Sequence, residues 1–308
     1  MQDPQPEFQP QVGVAEVLEP GLRRVLAPNA SPMTFRGTNT YLLGDGKDVA
    51  VIDPGPLDAS HLDAILAALG PGQQVSHVLV THSHLDHSPL ASVLAARTGA
   101  RVHGFGASET GRSTLMQVLA QTADLGGGEG VDQKFSPDVA LSDGEQVGGD
   151  GWQLVVHHTP GHMANHLAFA WGDVLFSGDL VMGWATSLVS PPDGDLTAFM
   201  GSLRHLRGRG WRRFHAGHGA PVEEPEARLT ELLAHREGRE ASILTALGDG
   251  PSDAQALAER IYTGTPPALM GAAARNVLAH LIDLTARNLV APCGELSAEA
   301  IFQRSGEG

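Results

Sequence analysis

The chain has 308 residues, 42% of them hydrophobic and only 5% aromatic. That is enough to bury a core in one large domain or two smaller ones, and no stretch approaches the ~18 consecutive apolar residues of a membrane-spanning helix. A formal net charge of −15 sets the general surface against nucleic-acid phosphates. A single cysteine, Cys293, excludes an internal disulfide and any cysteine-rich zinc module, so a bound metal would have to be held by histidine and carboxylate.

The opening MQDPQPEFQPQ has neither a basic nor an apolar segment of the kind that marks a secretory signal. A cytoplasmic location and about ten disordered residues are therefore expected. The runs GLRRVLA, NTYLLG and DVAVIDPG read as strands separated by Gly, Asp and Pro turns. The period then changes: Asp58-Ala59-Ser60 caps a helix through HLDAILAALG, with Leu62, Ile65, Leu66 and Leu69 on one face. A strand in SHVLVTH, a helix in SPLASVLAARTG and a strand in ARVHGF follow, giving an α/β pattern.

Residues 106 to 137 are Gly-rich, with room for one short helix around Leu115 to Ala123, and read as an insertion or a lid. Strands resume in GEQV, WQLVVHHT, HLAFAW and VLFSGDL, then a helix capped by Asp195, and RRFHAGHG. After Pro221 the pattern is almost purely helical: Glu224 to Leu247, then SDAQALAERIY and PALMGAAARNVLAHLIDLTARN, with Ser252 and Pro266 as start signals, and a short LVAPCG. This order resembles a winged helix. Its third helix has Arg275 and Arg287 as its only fixed cations, too few for DNA readout. The expected division is 1–222 and 223–308.

The segment VLVTHSHLDHSPL, residues 78 to 90, places His82, His84, Asp86 and His87 directly after a hydrophobic strand. Side chains alternate in extended chain, so His82 and His84 point to one side and can share an ion, while Asp86 and His87 open the next helix and face a second. His162 in TPGHMANH, Asp179 in FSGDL and His218 in AGHGAP each lie where a strand ends in a Gly-containing turn, the usual place for functional groups in α/β folds. Imidazole and carboxylate ligands suit zinc, and also iron or manganese. Two ions a few ångströms apart need a shared anionic bridge, for which Asp179 is the natural candidate, with a hydroxide as the second.

These elements, with Asp53 of VIDPG, resemble the metallo-β-lactamase superfamily over residues 20 to 222. The resemblance implies an αββα sandwich with a binuclear site at one edge, followed here by a small helical, winged-helix-like domain. It implies that His82, His84 and His162 hold the first ion, that Asp86, His87 and His218 hold the second, and that Asp179 bridges them. Asp53 would orient the ligand loop and Asp86 guide the proton of the attacking water, the two catalytic carboxylates of this reading. Within the family an acidic residue at the second histidine marks di-iron flavoproteins. His84 stands there, so two zinc ions are favoured.

Within the family the chain is most similar to the β-lactamase-like protein two group, a branch associated with endoribonuclease activity. It shares GTNTYLLG and a tail running through AHREGREASIL and YTGTPPALMGAAARNVLAHLIDL. The motif departs from the usual DHxGG, reading Asp86-His87-Ser88-Pro89-Leu90. The reading is a hydrolase in which a metal-bridging hydroxide attacks a small ester, thioester or lactone, supported by the acidic charge and the apolar GWATSLV at 183 to 189. Asn39, Tyr41 and His166 are the candidate substrate contacts. One alternative is a single-strand endoribonuclease, for which the cluster Arg204, Arg207, Arg209, Arg212 and Arg213 offers a phosphate grip. The other is a metal-stabilised binding protein without turnover.

Overall fold

The computed structural model describes residues 3–128 and 130–306. Two sheets face each other. The first holds β1 (Glu16–Glu19), β2 (Leu22–Leu26), β3 (Asn39–Leu43), β4 (Asp48–Ile52), β5 (Gln74–Leu79), β6 (Arg101–Gly104) and β7 (Val139–Ala140), paired in chain order. It is antiparallel from β1 to β4 and parallel from β4 to β7. The second holds β8 (Gln146–Gly149), β9 (Trp152–His158), β10 (Leu167–Trp171), β11 (Val174–Gly178) and β12 (Arg213–Ala216), ordered β12-β11-β10-β9-β8.

Strand alternation sorts the apolar residues into layers. Tyr41, Leu43, Ala50 and Ile52 point inward, against Leu154, Val156, Leu167, Phe169 and Phe176 of the opposite sheet. Their chain neighbours Leu42, Val49 and Val51 point outward, beneath α1 (Ala59–Ala67) and α2 (Leu90–Thr98). Leu175 and Phe214 on the far side are covered by α4 (Leu196–Leu206) and by Leu229 and Leu232 of α5 (Pro225–Leu247). Both faces of β3 and β4 are thus buried, which is why these strands read as nearly continuous apolar runs. The layers are αββα. Helix starts follow the caps: Asp58 accepts from the His61 amide at 2.8 Å and Asp195 from the Ala198 amide at 3.1 Å.

Beyond the sandwich come α6 (Ala254–Ile261), a 3-10 turn (Pro267–Leu269), α7 (Met270–Ala286) and a hairpin of β13 (Val290–Pro292) with β14 (Phe302–Arg304). Leu247, Leu257, Val277, Leu281 and Phe302 close a separate core. Helix α5 joins the two, its first half packing on the sandwich and its last turns, from Ile243, on the helical unit.

Three expectations change. The amino-terminal segment is not disordered from residue 3 onward: Phe8 is buried and Gln5 accepts from the Ala220 amide at 2.9 Å, one aromatic anchor outweighing a polar, Pro-rich composition. Met1 and Gln2 lie outside the described residues. The cap of α6 is Asp253, which accepts from the Ala256 amide at 2.8 Å, rather than Ser252. In the 106 to 137 segment, of which Glu129 is likewise outside the described residues, the helix α3 (Thr114–Thr122) sends Met116 and Leu119 into the carboxy-terminal core. Further along, the Leu85 amide donates to Gly130 O at 2.8 Å and the Asp132 amide to Ser83 O at 2.8 Å, pinning the segment to the histidine-rich loop.

Candidate metal centre

Five chain segments converge at one edge of the sandwich. Asp53 follows β4, residues 81–87 follow β5, His162 lies between β9 and β10, Asp179 follows β11 and His218 follows β12. Three groups have ligand atoms that all lie within 4.8 Å of one another: His82, His84 and His162; His82, His87 and Asp179; and Asp86, His87 and His218. His84 Nδ1 stands 3.0 Å from both His82 Nε2 and His162 Nε2. His87 Nε2 and His218 Nε2 are 3.3 Å apart. Asp179 lies between the two histidine sets, 3.5 Å from His87 Nε2, 3.4 Å from His218 Nε2 and 3.8 Å from His162 Nε2.

The Nδ1 atoms of His82, His87, His162 and His218 are tethered. His87 Nδ1 is 2.9 Å from Asp53 Oδ2, His162 Nδ1 2.6 Å from Leu188 O and His218 Nδ1 3.1 Å from Gly37 O. Each acceptor fixes a proton on Nδ1 and turns Nε2 toward the centre. His82 Nδ1 meets Thr81 Oγ1 at 2.9 Å, and that hydroxyl donates to Asp53 Oδ2 at 2.7 Å. Asp53 Oδ1 accepts from the Thr81 amide, also at 2.7 Å. One carboxylate therefore orients a histidine from each set. Asp53 is 2% exposed and sits at φ 50°, a conformation few non-glycine residues adopt. It lies behind the histidine cluster, beside His87 Nδ1, and does not line the cavity.

Two observations test whether these residues fit metal ions. Asp179 Oδ1 is a buried carboxylate oxygen with no hydrogen-bond partner, an arrangement that is costly unless a cation faces it. Gly217 keeps the space beside it clear, since a Cβ there would overlap Asp179 Oδ1 and lie 2.8 Å from His87 Cε1. The electrostatics agree. Burial, reinforced by neighbouring imidazoles, keeps His82 neutral and holds His84 down to about 3, the protonation state a ligand requires. Burial disfavours charge on His218 too, but Asp179 and Asp86 outweigh it and lift that imidazole to about 10. His87 is raised for the same reason, against its own burial, by Asp86, Asp179 and Asp53. Burial pushes Asp179 up, but His218 and His87 overcome it and hold the carboxyl well below the usual range. The cluster is built to hold positive charge between carboxylates.

The three expected substrate contacts are placed otherwise. Asn39 is fully buried and its amide donates to Ala216 O at 3.0 Å and Gly219 O at 2.9 Å. Tyr41 is buried and donates to Ala216 O at 2.7 Å. Both brace the turn that presents His218. His166 is also buried, its Nε2 accepting from the Asp179 amide at 3.2 Å and its Nδ1 lying 2.8 Å from Thr159 Oγ1, so it holds the backbone of Asp179. None of the three faces the opening. Ser88, where the motif departs from DHxGG, donates to Asp132 Oδ2 at 2.8 Å, tying the start of α2 to the 106 to 137 segment.

A cavity of about 670 Å³ opens over the cluster. His84, Asp86, His162 and Asp179 form its floor, and Met33, Leu85, Val131 and Leu188 give it apolar walls. Gly271, Ala272 and Arg275 of α7 close one side. The arginine cluster lies elsewhere, at the amino-terminal end of β12 and the end of α4, and all of its members but Arg209 pair with carboxylates. Arg212 pairs with Glu19 at 2.8 Å, Arg213 with Glu223 at 2.7 Å and Arg207 with Glu226 at 3.3 Å.

An αββα sandwich with a histidine and aspartate cluster at the strand ends defines a class of metallohydrolase. The chain belongs to the metallo-beta-lactamase superfamily, whose profile matches residues 33–232, and residues 254–295 match the beta-lactamase associated winged helix domain. It is a hydrolase of that superfamily. Among relatives, it is 32% identical over 271 residues to a beta-lactamase-like protein 2 homolog of Drosophila melanogaster, covering 85% of this chain and 86% of that one. It is 31% identical over 245 residues to an atrochrysone carboxyl ACP thioesterase of Aspergillus fumigatus, covering 77% of this chain and 68% of the relative. A metallo-beta-lactamase family protein of Thermus thermophilus superposes with a TM-score of 0.75 at 27% identity, over 94% of this chain and all of the other. Among the described residues no helix is long and apolar enough to cross a membrane.

Proposed function

We propose that the chain is a cytoplasmic, binuclear zinc hydrolase acting on a small ester or thioester, with lactones as close variants. The carrying observation is the buried Asp179 carboxylate, whose Oδ1 has no hydrogen-bond partner, set between His82, His84 and His162 on one side and Asp86, His87 and His218 on the other. In this reading those two sets would hold the two ions, with Asp179 shared between them. Such an ion pair supplies a water deprotonated near neutral pH and a Lewis acid for the substrate oxygen.

The protein's own part is orientation and proton handling. Asp53, Thr81, Leu188 and Gly37 fix the ring tautomers, and His166 holds the backbone of Asp179. Asp86, 26% exposed at the cavity floor, has a carboxylate reachable from the cavity and would guide the proton of the attacking water. Met33, Leu85, Val131 and Leu188 receive an apolar acyl group. The thioesterase relative, similar over 77% of this chain, supports the thioester form. The domain division read near residue 222 follows the last backbone pairing on the second sheet, Val222 with Phe214, while the first half of α5 beyond it still packs on the sandwich.

The test is a substrate panel on the metal-loaded enzyme. Hydrolysis of nitrophenyl esters or acyl thioesters, lost on metal removal, with single-stranded RNA left intact, is the expected result. Cleavage of RNA that a thioester does not inhibit would assign the endoribonuclease reading instead, and inertness toward the whole panel would assign a binding protein.

A further inference from the structure

Helices α5 and α7 reach the metal centre through three consecutive residues. Ser187 O accepts a hydrogen bond from Arg236 Nη2 of α5. Two residues on, the Val189 amide donates to Asn276 Oδ1 of α7 at 3.0 Å. The same Asn276 oxygen accepts from Arg236 Nη1 at 2.9 Å, so the two helices act on the loop as one clamp. Between the two clamped groups lies Leu188, whose carbonyl points the opposite way and meets His162 Nδ1 at 2.6 Å. The Leu188 carbonyl and the Val189 amide belong to one planar trans peptide unit, so fixing the amide fixes the direction of the carbonyl. Ser187 also donates through Oγ to Asp179 O, so the same short segment holds the backbone of the bridging carboxylate.

Arg236 is 2% exposed, the largest fully buried side chain of the described residues, and its guanidinium lies 5.1 Å from the centre of the Phe199 ring. Burial lowers it only to about 10, so it stays charged at neutral pH. Burying an arginine is costly, and burial of a hydrophobic residue would have served packing better. What the guanidinium supplies here is directed donors, one to the loop and one to the residue that holds the loop's next turn.

We infer that Asn276 and Arg236 are positioning residues for the metal centre: by clamping residues 187 and 189 they aim the Leu188 carbonyl that sets the tautomer and angle of His162. This rests on the reading of His82, His84 and His162 as ligands. Hydrogen-bond partners behind ligating histidines typically contribute 10- to 100-fold in metal affinity, and this clamp acts on such a partner one residue further out.

The experiment titrates cobalt(II) into the full-length, metal-free chain and its variants, following visible absorption and competition with a chromophoric chelator. Asn276→Leu removes the shared acceptor at similar volume, whereas Asn276→Asp keeps it. The expected result is roughly tenfold weaker binding of one cobalt ion in Asn276→Leu, with a changed absorption band, and near wild-type behaviour in Asn276→Asp. A folded Asn276→Leu with wild-type affinity and spectrum overturns the inference. So does a variant that only lowers the melting temperature of the metal-free protein, since that is packing alone. Should Asn276→Leu fail to fold, the smaller Asn276→Ser carries the same test with the same two outcomes. Wild-type protein that takes up no cobalt defeats the underlying site reading, which is a separate result.

Discussion

Replacing Asp53 by asparagine isolates the orienting role of one carboxylate. Asparagine is the right substitute because it tolerates the backbone at φ 50°, which alanine would strain. Its amide cannot satisfy the site. Oδ1 of Asp53 accepts from the Thr81 amide at 2.7 Å, and Oδ2 accepts from the Thr81 hydroxyl at 2.7 Å and stands 2.9 Å from His87 Nδ1. If the new NH2 takes the first position it faces a backbone N–H; if the second, it faces the imidazole N–H. Either way one buried donor meets a donor, at a cost of about 1–3 kcal/mol. The imidazole can escape only by moving its proton to Nε2, the atom that must bind metal. Metal affinity should therefore fall about 10- to 100-fold, equivalent to about 1.4 to 2.8 kcal/mol. Competition against a chelator of known affinity measures this directly. Unchanged affinity in a folded Asp53→Asn protein would refute the claim that Asp53 orients the ligands.

Gly217→Ala would drive a methyl into Asp179 Oδ1 and set it 2.8 Å from His87 Cε1, so the variant should bind about one ion fewer per chain, by the cost of overpacking a filled site, and lose turnover; full metal content with normal rates contradicts this. Acid should destabilise the fold between about pH 6.5 and 4. Burial holds the imidazoles of His61, His103 and His215 down to about 4 and that of His280 to about 3. In that window the unfolded chain binds more protons than the native one, so stability is complete above the ordinary histidine range and is lost as pH falls. Melting curves from pH 7 to 4 of wild type and His280→Phe test it, the variant showing the shallower fall. Arg212→Ala should change stability by less than about 1 kcal/mol, as for exposed pairs, and leave turnover and its salt dependence unchanged; a large loss of activity would restore the cluster as a substrate grip.

What was legible in the sequence was what local chemistry encodes. The Asp58 and Asp195 caps, the period change after Pro56 and the alternating faces of β3 and β4 are properties of neighbours in the chain. The clustered histidines and aspartates were legible too, because each sits at a strand end. Asn39, Tyr41 and His166 lie close to motif residues in the chain, but their orientation was not readable. Asn39 is bonded to Ala216 and Gly219, 177 and 180 residues away, and no local pattern encodes such a partner. Thr81 could have been noticed as the one hydroxyl between an apolar strand and His82. Arg236 could not, since in a helix of polar composition nothing distinguishes the fully buried arginine from Arg228 and Arg239, which are only partly covered. The short strands β1, β7 and β14 exist by pairing with an edge more than by composition.

The central claim is that residues distant in the chain form one pocket for two closely spaced cations. Elemental analysis of protein purified without chelators tests it most directly, alongside an Asp179→Asn control. About two transition-metal ions per chain, chiefly zinc, with a clear loss in the control, is the predicted result for a carboxylate-bridged pair. A native, folded protein carrying no transition metal and taking none up would contradict it.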